Sequence, residues 1–238
     1  MTEMFIDSKT ASTSNRQRLL IRLLILFLTV AVPVLLTLLS VRMVMTPVFL
    51  QIEYNRPGFP PDFYGFSTED RLQYAPYALD YLLNAEGIDY LGDLIFPDGS
   101  PLYNERELAH MEDVKVVTRA AFWLLFFGLI ATTATTIYLW LTRQRNILWR
   151  GLFNGAVLTL AIIVMIVLVA VVAWDYFFTL FHQTFFASGT WIFNYSDTLI
   201  RLFPEQFWFD AALTIGAVTL GGALLILFLS WRGLRHSN

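Results

Sequence analysis

The sequence contains no cysteine among its 238 residues. Disulfide-stapled secreted domains, thiolate metal sites and cysteine nucleophiles are therefore excluded. Iron–sulfur clusters and haems that are ligated through cysteine are excluded as well.

Charged residues are also scarce. Asp, Glu, Lys and Arg make up 15% of the chain, against roughly 25% in soluble domains. The net charge of −3 provides no basic face, so no nucleic-acid partner is expected.

Four long apolar runs account for much of the 56% hydrophobic composition. Each run is long enough to cross the hydrocarbon core as a helix, which takes about 20 residues, and a helix satisfies its own backbone groups in lipid. We predict an all-α membrane protein: a four-transmembrane-helix bundle in a single membrane domain, with a mostly helical extracellular cap. The predicted spans cover about 19–45, 114–141, 152–178 and 209–229.

Basic residues are concentrated in the flanks on one side of the spans, which determines the predicted orientation. They are Lys9, Arg16, Arg18, Arg22, Arg143, Arg145, Arg150, Arg232 and Arg235. The N-terminus, the 142–151 loop and the C-terminus are therefore predicted to be cytoplasmic. The segments at about 50–113 and 179–208 are predicted to be extracellular, and the first of them holds thirteen acidic residues against three arginines.

The first outer segment carries two helix-start patterns. Ser67 with Asp70 resembles a capping box, and Pro76 is expected to end or bend the helix that follows. Asn104 is expected to cap a second helix, which continues through Glu107 into the second span.

Two of the three histidines occupy related positions. His110 lies just before the second span and His182 just after the third, whereas His236 lies in the C-terminal tail. A short loop joins these two spans, so they are expected to be antiparallel neighbours. The imidazoles of His110 and His182 would then share one face and one membrane depth, close enough to meet.

The surroundings of His110 suit proton transfer. Glu107 and Asp113 are both three residues from it, on one side of a helix. A carboxylate beside an imidazole can hold its tautomer and raise its basicity, as acyl transfer from an ester requires. Structural roles fit as well: Glu107 as a capping residue, and Asp113 with Lys115 as the water-facing end of the helix. The phenylalanines near His182 fit either packing or the binding of an acyl chain.

Arg119, a turn inside the second span, is an unusual charge for a membrane helix. It is expected to pair with Asp175, to bind a phosphate or carboxylate, or to extend to the surface.

Two alternatives compete with acyl transfer. Glu107-x-x-His110 resembles the helical ligand pair of carboxylate-bridged metal bundles, although those need the motif twice. Glu107, His110, Asp113 and His182 would be the ligands of a single Zn²⁺ in a metal-dependent membrane hydrolase. The second alternative is a non-enzymatic membrane protein that binds a partner through segment 50–113.

Several blocks of sequence together resemble one family. They are LYNERELAHMEDVK at 102–115, FHQTFF at 181–186, SDTLIRLFPEQFW at 196–208 and YGFSTEDRLQYA at 64–75. These blocks are similar to the lipoprotein intramolecular transacylase family, which comprises four-span proteins of the bacterial cell membrane. The resemblance covers all four spans and both outer segments.

The resemblance implies a specific reaction. The substrate would be a lipoprotein of the outer leaflet whose N-terminal Cys carries an S-diacylglyceryl group and a free α-amine. Its sn-2 acyl chain would move onto that amine to give the lyso-form lipoprotein, without a cofactor or metal, at the extracellular face of the membrane and among its lipids.

The resemblance also assigns the catalytic pair to His110 and His182, without saying which is base and which is acid. Tyr103, Asn104 or Lys115 would stabilise the oxyanion. The expected supporting or substrate-positioning residues are Tyr103, Asn104, Glu107, Asp113, Lys115, Arg119, Asp197 and Glu205.

Overall fold

A computed structural model describes residues 2–186 and 189–236, with side chains from Asn15 onward. Lys9, one of the basic residues of the predicted cytoplasmic flank, lies outside the described side chains. Over the described residues the chain forms nine helices: α1 (Thr2–Val44), α2 (Pro47–Asn55), α3 (Thr68–Leu83), α4 (Asp89–Gly92), α5 (Glu105–Leu141), α6 (Arg145–Val172), α7 (Trp174–Phe185), α8 (Thr198–Leu202) and α9 (Glu205–His236).

Four of these helices, α1, α5, α6 and α9, are long and apolar enough to cross a membrane. The all-α fold and the four spanning helices are therefore confirmed.

The third apolar run is interrupted. An unbroken span was expected to about residue 178, but α6 ends at Val172 and α7 begins at Trp174. Ala173 is non-helical, with φ −143° and ψ 62°. Its N–H still donates to Val169 O and its carbonyl accepts from Phe177 N, so the break leaves both groups hydrogen-bonded.

The chain divides into two compact units. The first comprises the residues up to Thr37, Leu125–Val164 and the residues from Val218 onward. Within it α6 approaches α1 at two glycines. A Cβ on Gly151 would lie 2.6 Å from Leu28 Cβ, and one on Gly155 would lie 2.7 Å from Val32 Cβ. The absent side chains therefore allow close helix contact, as is common between membrane helices.

The second unit comprises Leu38–Leu124 and Met165–Ala217. The predicted capping box at the start of α3 is present: Asp70 N donates to Ser67 Oγ (3.1 Å) and Ser67 N donates to Asp70 Oδ2 (2.8 Å). Pro76 was expected to end or bend this helix, and it does not end it, because α3 continues past it to Leu83.

An apolar core in the second unit joins α3, the start of α5 and α8. Its buried members are Tyr74, Ala78, Tyr81, Leu91, Leu102, Tyr103, Met111, Leu199 and Leu202. A buried hydrogen bond from the Tyr54 hydroxyl to Leu202 O (3.0 Å) connects α2 to α8. This core fixes the position from which α5 begins, and hence the position of His110.

Candidate active site

The first turn of α5 is built around Glu107, whose side chain is 1% exposed. Asn104 Oδ1 accepts from Glu107 N (3.1 Å), and Glu107 Oε2 accepts in return from Asn104 N (2.8 Å). The predicted cap is therefore present. The other carboxylate oxygen accepts from Leu199 N (2.5 Å), at the start of α8. One buried carboxylate thus satisfies N–H groups of two helices and fixes the turn that carries His110.

His110 lies one turn further along α5 and is 7% exposed. The rings of Phe186 and Phe193 meet it edge-on, with centroids 5.0 and 5.4 Å from its own. Its Nδ1 is buried and has no hydrogen-bond partner among the described residues. Because a buried polar atom is usually paired, this nitrogen is available to a bound group or to water.

His182 lies in the last turn of α7, half-buried among aromatic rings. Its Nδ1 is 2.8 Å from Phe178 O. A carbonyl oxygen only accepts, so Nδ1 carries the proton and the Nε2 lone pair of the neutral ring stays free. Burial lowers the pKa of the His182 imidazole, and the hydrogen bond to Phe178 offsets part of that shift. The neutral ring, with its basic Nε2, therefore predominates at pH 7.

The two imidazoles face each other across a short gap. Their ring centroids are 6.3 Å apart and their planes are inclined by 24°. This separation is too large for a direct hydrogen bond between ring nitrogens but small enough for one group to touch both. The juxtaposition expected from the sequence is therefore present.

An aromatic shell encloses His182. Phe178 and Trp191 lie nearest, with centroids 4.1 and 4.8 Å from the imidazole. Phe181 and Phe186 complete the contacts at 5.5 and 5.7 Å. This shell limits the contact of the imidazole with water and presents apolar surface of the kind an acyl chain requires.

Tyr103 is buried directly before α5. Burial raises the pKa of its phenol, and the charge of Glu107 adds to the effect, so the hydroxyl stays protonated. It has no hydrogen-bond partner among the described residues. Tyr103 is therefore a free donor, whereas the Asn104 side chain is occupied in capping α5.

Lys115 and Arg119 bind the C-terminal end of α3. The buried Lys115 Nζ donates to Asn84 Oδ1 (3.0 Å) and Glu86 O (2.6 Å), and it lies 3.7 Å from the centroid of the Tyr81 ring. Arg119 Nη2 donates to Asn84 O (3.1 Å) rather than to the expected Asp175. Through these contacts both cations connect α5 to the C-terminal end of α3.

Three of the predicted acidic residues lie at the surface or have contacts of their own. Asp113 is exposed on α5. Asp197 precedes α8 and accepts from Asn194 N (2.8 Å). Glu205 is exposed at the start of α9, within electrostatic reach of Asp175.

Within the described part of the chain, no three His, Asp or Glu side chains are grouped to hold a metal ion. The proposed ligand Glu107 already accepts two backbone N–H bonds, and Asp113 points to solvent. The donor set expected for the alternative zinc site is thus not assembled.

Two aromatic neighbours of the histidines were missed by the sequence reasoning. Trp191 and Phe193 come from the irregular stretch between α7 and α8. The high aromatic content of segment 179–208 was the available signal, but it does not say which rings meet which histidine.

Comparison with known proteins gives consistent matches. A sequence model of the family described as lipoprotein intramolecular transacylase Lit matches residues 24–208. A relative from Aquifex aeolicus (strain VF5), an uncharacterized protein, is 30% identical over 211 residues, which are 87% of this chain and 93% of the relative. The matched family is the one that the four sequence blocks resemble.

Solved structures share the fold. The in meso structure of the membrane integral lipoprotein intramolecular transacylase Lit from Bacillus cereus has a TM-score of 0.71 at 20% identity, over 91% of this chain and 97% of that one. A histidine-to-arginine variant of the same protein gives a TM-score of 0.68 at 19% identity, over 95% and 97% of the two chains.

Proposed function

The chain belongs to the lipoprotein intramolecular transacylase family, and from this premise we propose that it moves the sn-2 acyl chain of a diacylglyceryl-modified lipoprotein onto that lipoprotein's own α-amine. The observation that carries the proposal is the pair His110 and His182, with ring centroids 6.3 Å apart in an aromatic setting. The product is a lyso-form lipoprotein with an N-acyl chain and one remaining glyceryl ester.

The reaction exchanges one bond for another without consuming water. The α-amine nitrogen of the substrate attacks the sn-2 ester carbonyl, so a C–N bond forms and the C–O bond to the glyceryl group breaks. The amine loses one proton and the glyceryl oxygen gains one, so no net proton is released from a neutral amine. Amine and ester belong to one molecule, and holding them in reacting geometry supplies much of the acceleration.

We assign the base to His182. Its Nδ1–H is engaged by Phe178 O, which leaves Nε2 as the acceptor for the amine proton. The lowered pKa keeps this ring neutral at pH 7, so its Nε2 lone pair is available to accept a proton. Phe178 thus acts as a positioning residue through its backbone carbonyl.

We assign protonation of the glyceryl oxygen to His110. Its buried Nδ1 lacks a partner among the described residues, so it can engage a substrate atom without breaking an existing bond. Proton exchange between the rings, through bound substrate or water, would reset the pair after each turnover.

Tyr103 is the proposed donor to the oxyanion of the tetrahedral intermediate. Its protonated hydroxyl is buried and unpaired among the described residues, whereas Asn104 and Lys115 are committed to other contacts. A donor held in a dry site is worth about 3 kcal/mol of transition-state stabilisation. Phe181 and Phe186 would contact the migrating acyl chain.

The site is proposed to open at the extracellular face. The basic flanks of the four spans favour cytoplasmic termini, and both histidines then lie where the head of an outer-leaflet lipoprotein would reside. The remaining acidic residues, Asp113, Asp197 and Glu205, are proposed to act at the rim through charge rather than in the reaction itself.

Fragmentation mass spectrometry of a synthetic diacylglyceryl lipopeptide tests the proposal. Transfer conserves mass, so only fragments can locate the acyl chain on the cysteine amine. We expect His110→Ala and His182→Ala to lower the rate at least 100-fold, and the exposed His236→Ala to have no effect. Equal rates for all three variants, with folded protein, would overturn the assignment.

A further inference from the structure

A second candidate site lies in the second unit, which also contains the two histidines. It is a cleft of about 520 Å³ between the end of α2 and the start of α3. Neither histidine lines it, and neither do the rings that surround them. Its charged lining residues are Arg56, Arg71 and Glu69, and Ser67 and Thr68 at the α3 N-terminus add two hydroxyls. Cations therefore outnumber anions along the described lining of the cleft.

Arg71 is the centre of this cleft, because its side chain is buried and its hydrogen bonds run to backbone carbonyls, while Asp62 interacts with it only electrostatically. Its Nε donates to Arg201 O (3.1 Å) and its Nη1 to Pro60 O (2.8 Å). The neighbouring carboxylate Asp62 is bound instead by Arg201, at 2.9 Å. A guanidinium carries five N–H donors, so Arg71 retains donors for an anion in the cleft.

Arg56 adds a second cation to the lining of the cleft. The guanidinium carbons of Arg56 and Arg71 lie 5.4 and 5.1 Å from the centroid of the same ring, Phe59. Arg56 is held in place by Glu53 and Asp210, whose carboxylates also offset its charge. Each guanidinium presents a planar fork of N–H donors, a geometry that suits the oxygens of a phosphate.

The cleft lies close in sequence to the end of a membrane-spanning helix. α2 starts at Pro47, three residues after α1 ends at Val44, and its nine residues cover only about 14 Å. The loop beside the cleft exposes Phe63, at 96%, and Tyr64. Exposed aromatic rings near a span end are typical of the headgroup layer.

We propose that this cleft binds the phosphate of a membrane phospholipid headgroup, with Arg71 and Arg56 as its cationic contacts and Phe63 and Tyr64 beside the lipid. The site would hold the region from α2 to α3 against the membrane surface. Binding here is independent of the acyl transfer, because the cleft and the histidine site share no lining residue.

Equilibrium binding of a fluorescent phosphatidylglycerol to the purified full chain in neutral detergent tests this proposal. Arg71→Gln should weaken binding at least tenfold. Because that variant removes buried hydrogen bonds, Thr68→Asp provides a second test: an acidic residue suits the first turn of a helix, yet it repels a phosphate. Gln73→Glu adds the same charge to an exposed position of α3 outside the cleft, and should leave binding unchanged.

Three results would overturn the proposal. The first is equal lipid binding by Thr68→Asp and the unaltered chain. The second is equal displacement of the probe by uncharged diacylglycerol and by phosphatidylglycerol. The third is complete displacement by millimolar inorganic phosphate, which would mean that free phosphate, and not the lipid, is the ligand.

Discussion

The imidazole rings of His110 and His182 lie nearly parallel, with their centroids 6.3 Å apart and a 24° angle between their planes. The two residues differ in how they are held. His182 is anchored through Nδ1 to Phe178 O, whereas His110 Nδ1 has no partner among the described residues. This asymmetry supports different roles for the two rings and leads to the first prediction.

The protonation state of His182 is directly measurable, since the chain has only three histidines. In ring-¹⁵N-labelled protein, His182 should carry its proton on Nδ1 at pH 7. Because its pKa is lowered, the neutral ring should persist at pH 7 and protonate only as the pH falls below the ordinary value of 6.5. The base, and with it transfer activity, should therefore be lost on the acid side of that value.

The NMR signals can be assigned with His110→Ala and His236→Ala, which remove the other two histidines one at a time. A histidine-containing peptide that is exposed to solvent provides the reference titration. Protonation of His182 above pH 6.5, or a proton on Nε2 instead of Nδ1, would contradict the assignment of this residue as the base.

Replacing Glu107 should destabilise the second unit. Glu107→Ala removes the acceptor of two N–H groups, those of Asn104 and Leu199. Losing hydrogen bonds to a buried carboxylate should reduce the free energy of unfolding by about 3 kcal/mol. Thermal unfolding in detergent measures the loss. Glu105→Ala, which changes an exposed neighbour in the same turn, is the control and should change stability little. Equal losses of stability in the two variants would contradict the stabilising role of the Glu107 hydrogen bonds.

The contact of α6 with α1 should be intolerant of added volume. A Cβ on Gly155 would lie 2.7 Å from Val32 Cβ and 3.1 Å from Leu28 O. Gly155→Ala should therefore lower the free energy of unfolding by about 1–3 kcal/mol through overpacking. A Cβ on Gly221 would meet nothing within 4 Å, so Gly221→Ala should be neutral or stabilising by up to about 1 kcal/mol. The same stability for both variants would argue against the close helix approach.

A substitution of Lys115 distinguishes a structural role of this residue from a catalytic one. Lys115→Met retains the apolar stem but leaves Asn84 Oδ1 and Glu86 O without their donor. The free energy of unfolding should fall by about 1–3 kcal/mol, while the folded fraction keeps its transfer rate. Arg119→Met removes an exposed cation that donates to the same end of α3, so it should lower the free energy of unfolding less than Lys115→Met does. A large loss of rate in stable Lys115→Met protein would instead support an oxyanion role for this residue.

The four spanning helices and the cap at Asn104 were predictable because each has a local cause. A membrane requires about 20 apolar residues in sequence, and the capping pattern spans only four positions. The break at Ala173 had no such signal, since neither Gly nor Pro marks it. It falls where an aliphatic run gives way to the aromatic and partly charged sequence that starts at Trp174, and such a change does not by itself end a helix.

The arrangement around the histidines was only partly predictable. Helix topology placed His110 and His182 at one depth, but Trp191 and Phe193 come from an irregular segment without periodicity. Glu107 was recognised as a capping residue, whereas its bond to Leu199, 92 residues away, depends on tertiary packing. Among the alternatives for Arg119, the sequence did not suggest Asn84 O as an acceptor, because a backbone carbonyl leaves no trace in residue type.

The most direct test of the central claim uses two lipopeptides in one reaction. One carries a deuterated sn-2 acyl chain, and the other has an unlabelled chain on a peptide of different mass. We expect the deuterated chain to appear on the cysteine amine of its own peptide only, at a rate that depends on His110 and His182. Deuterium on the second peptide, or an N-acyl chain that came from the sn-1 position, would contradict intramolecular sn-2 transfer.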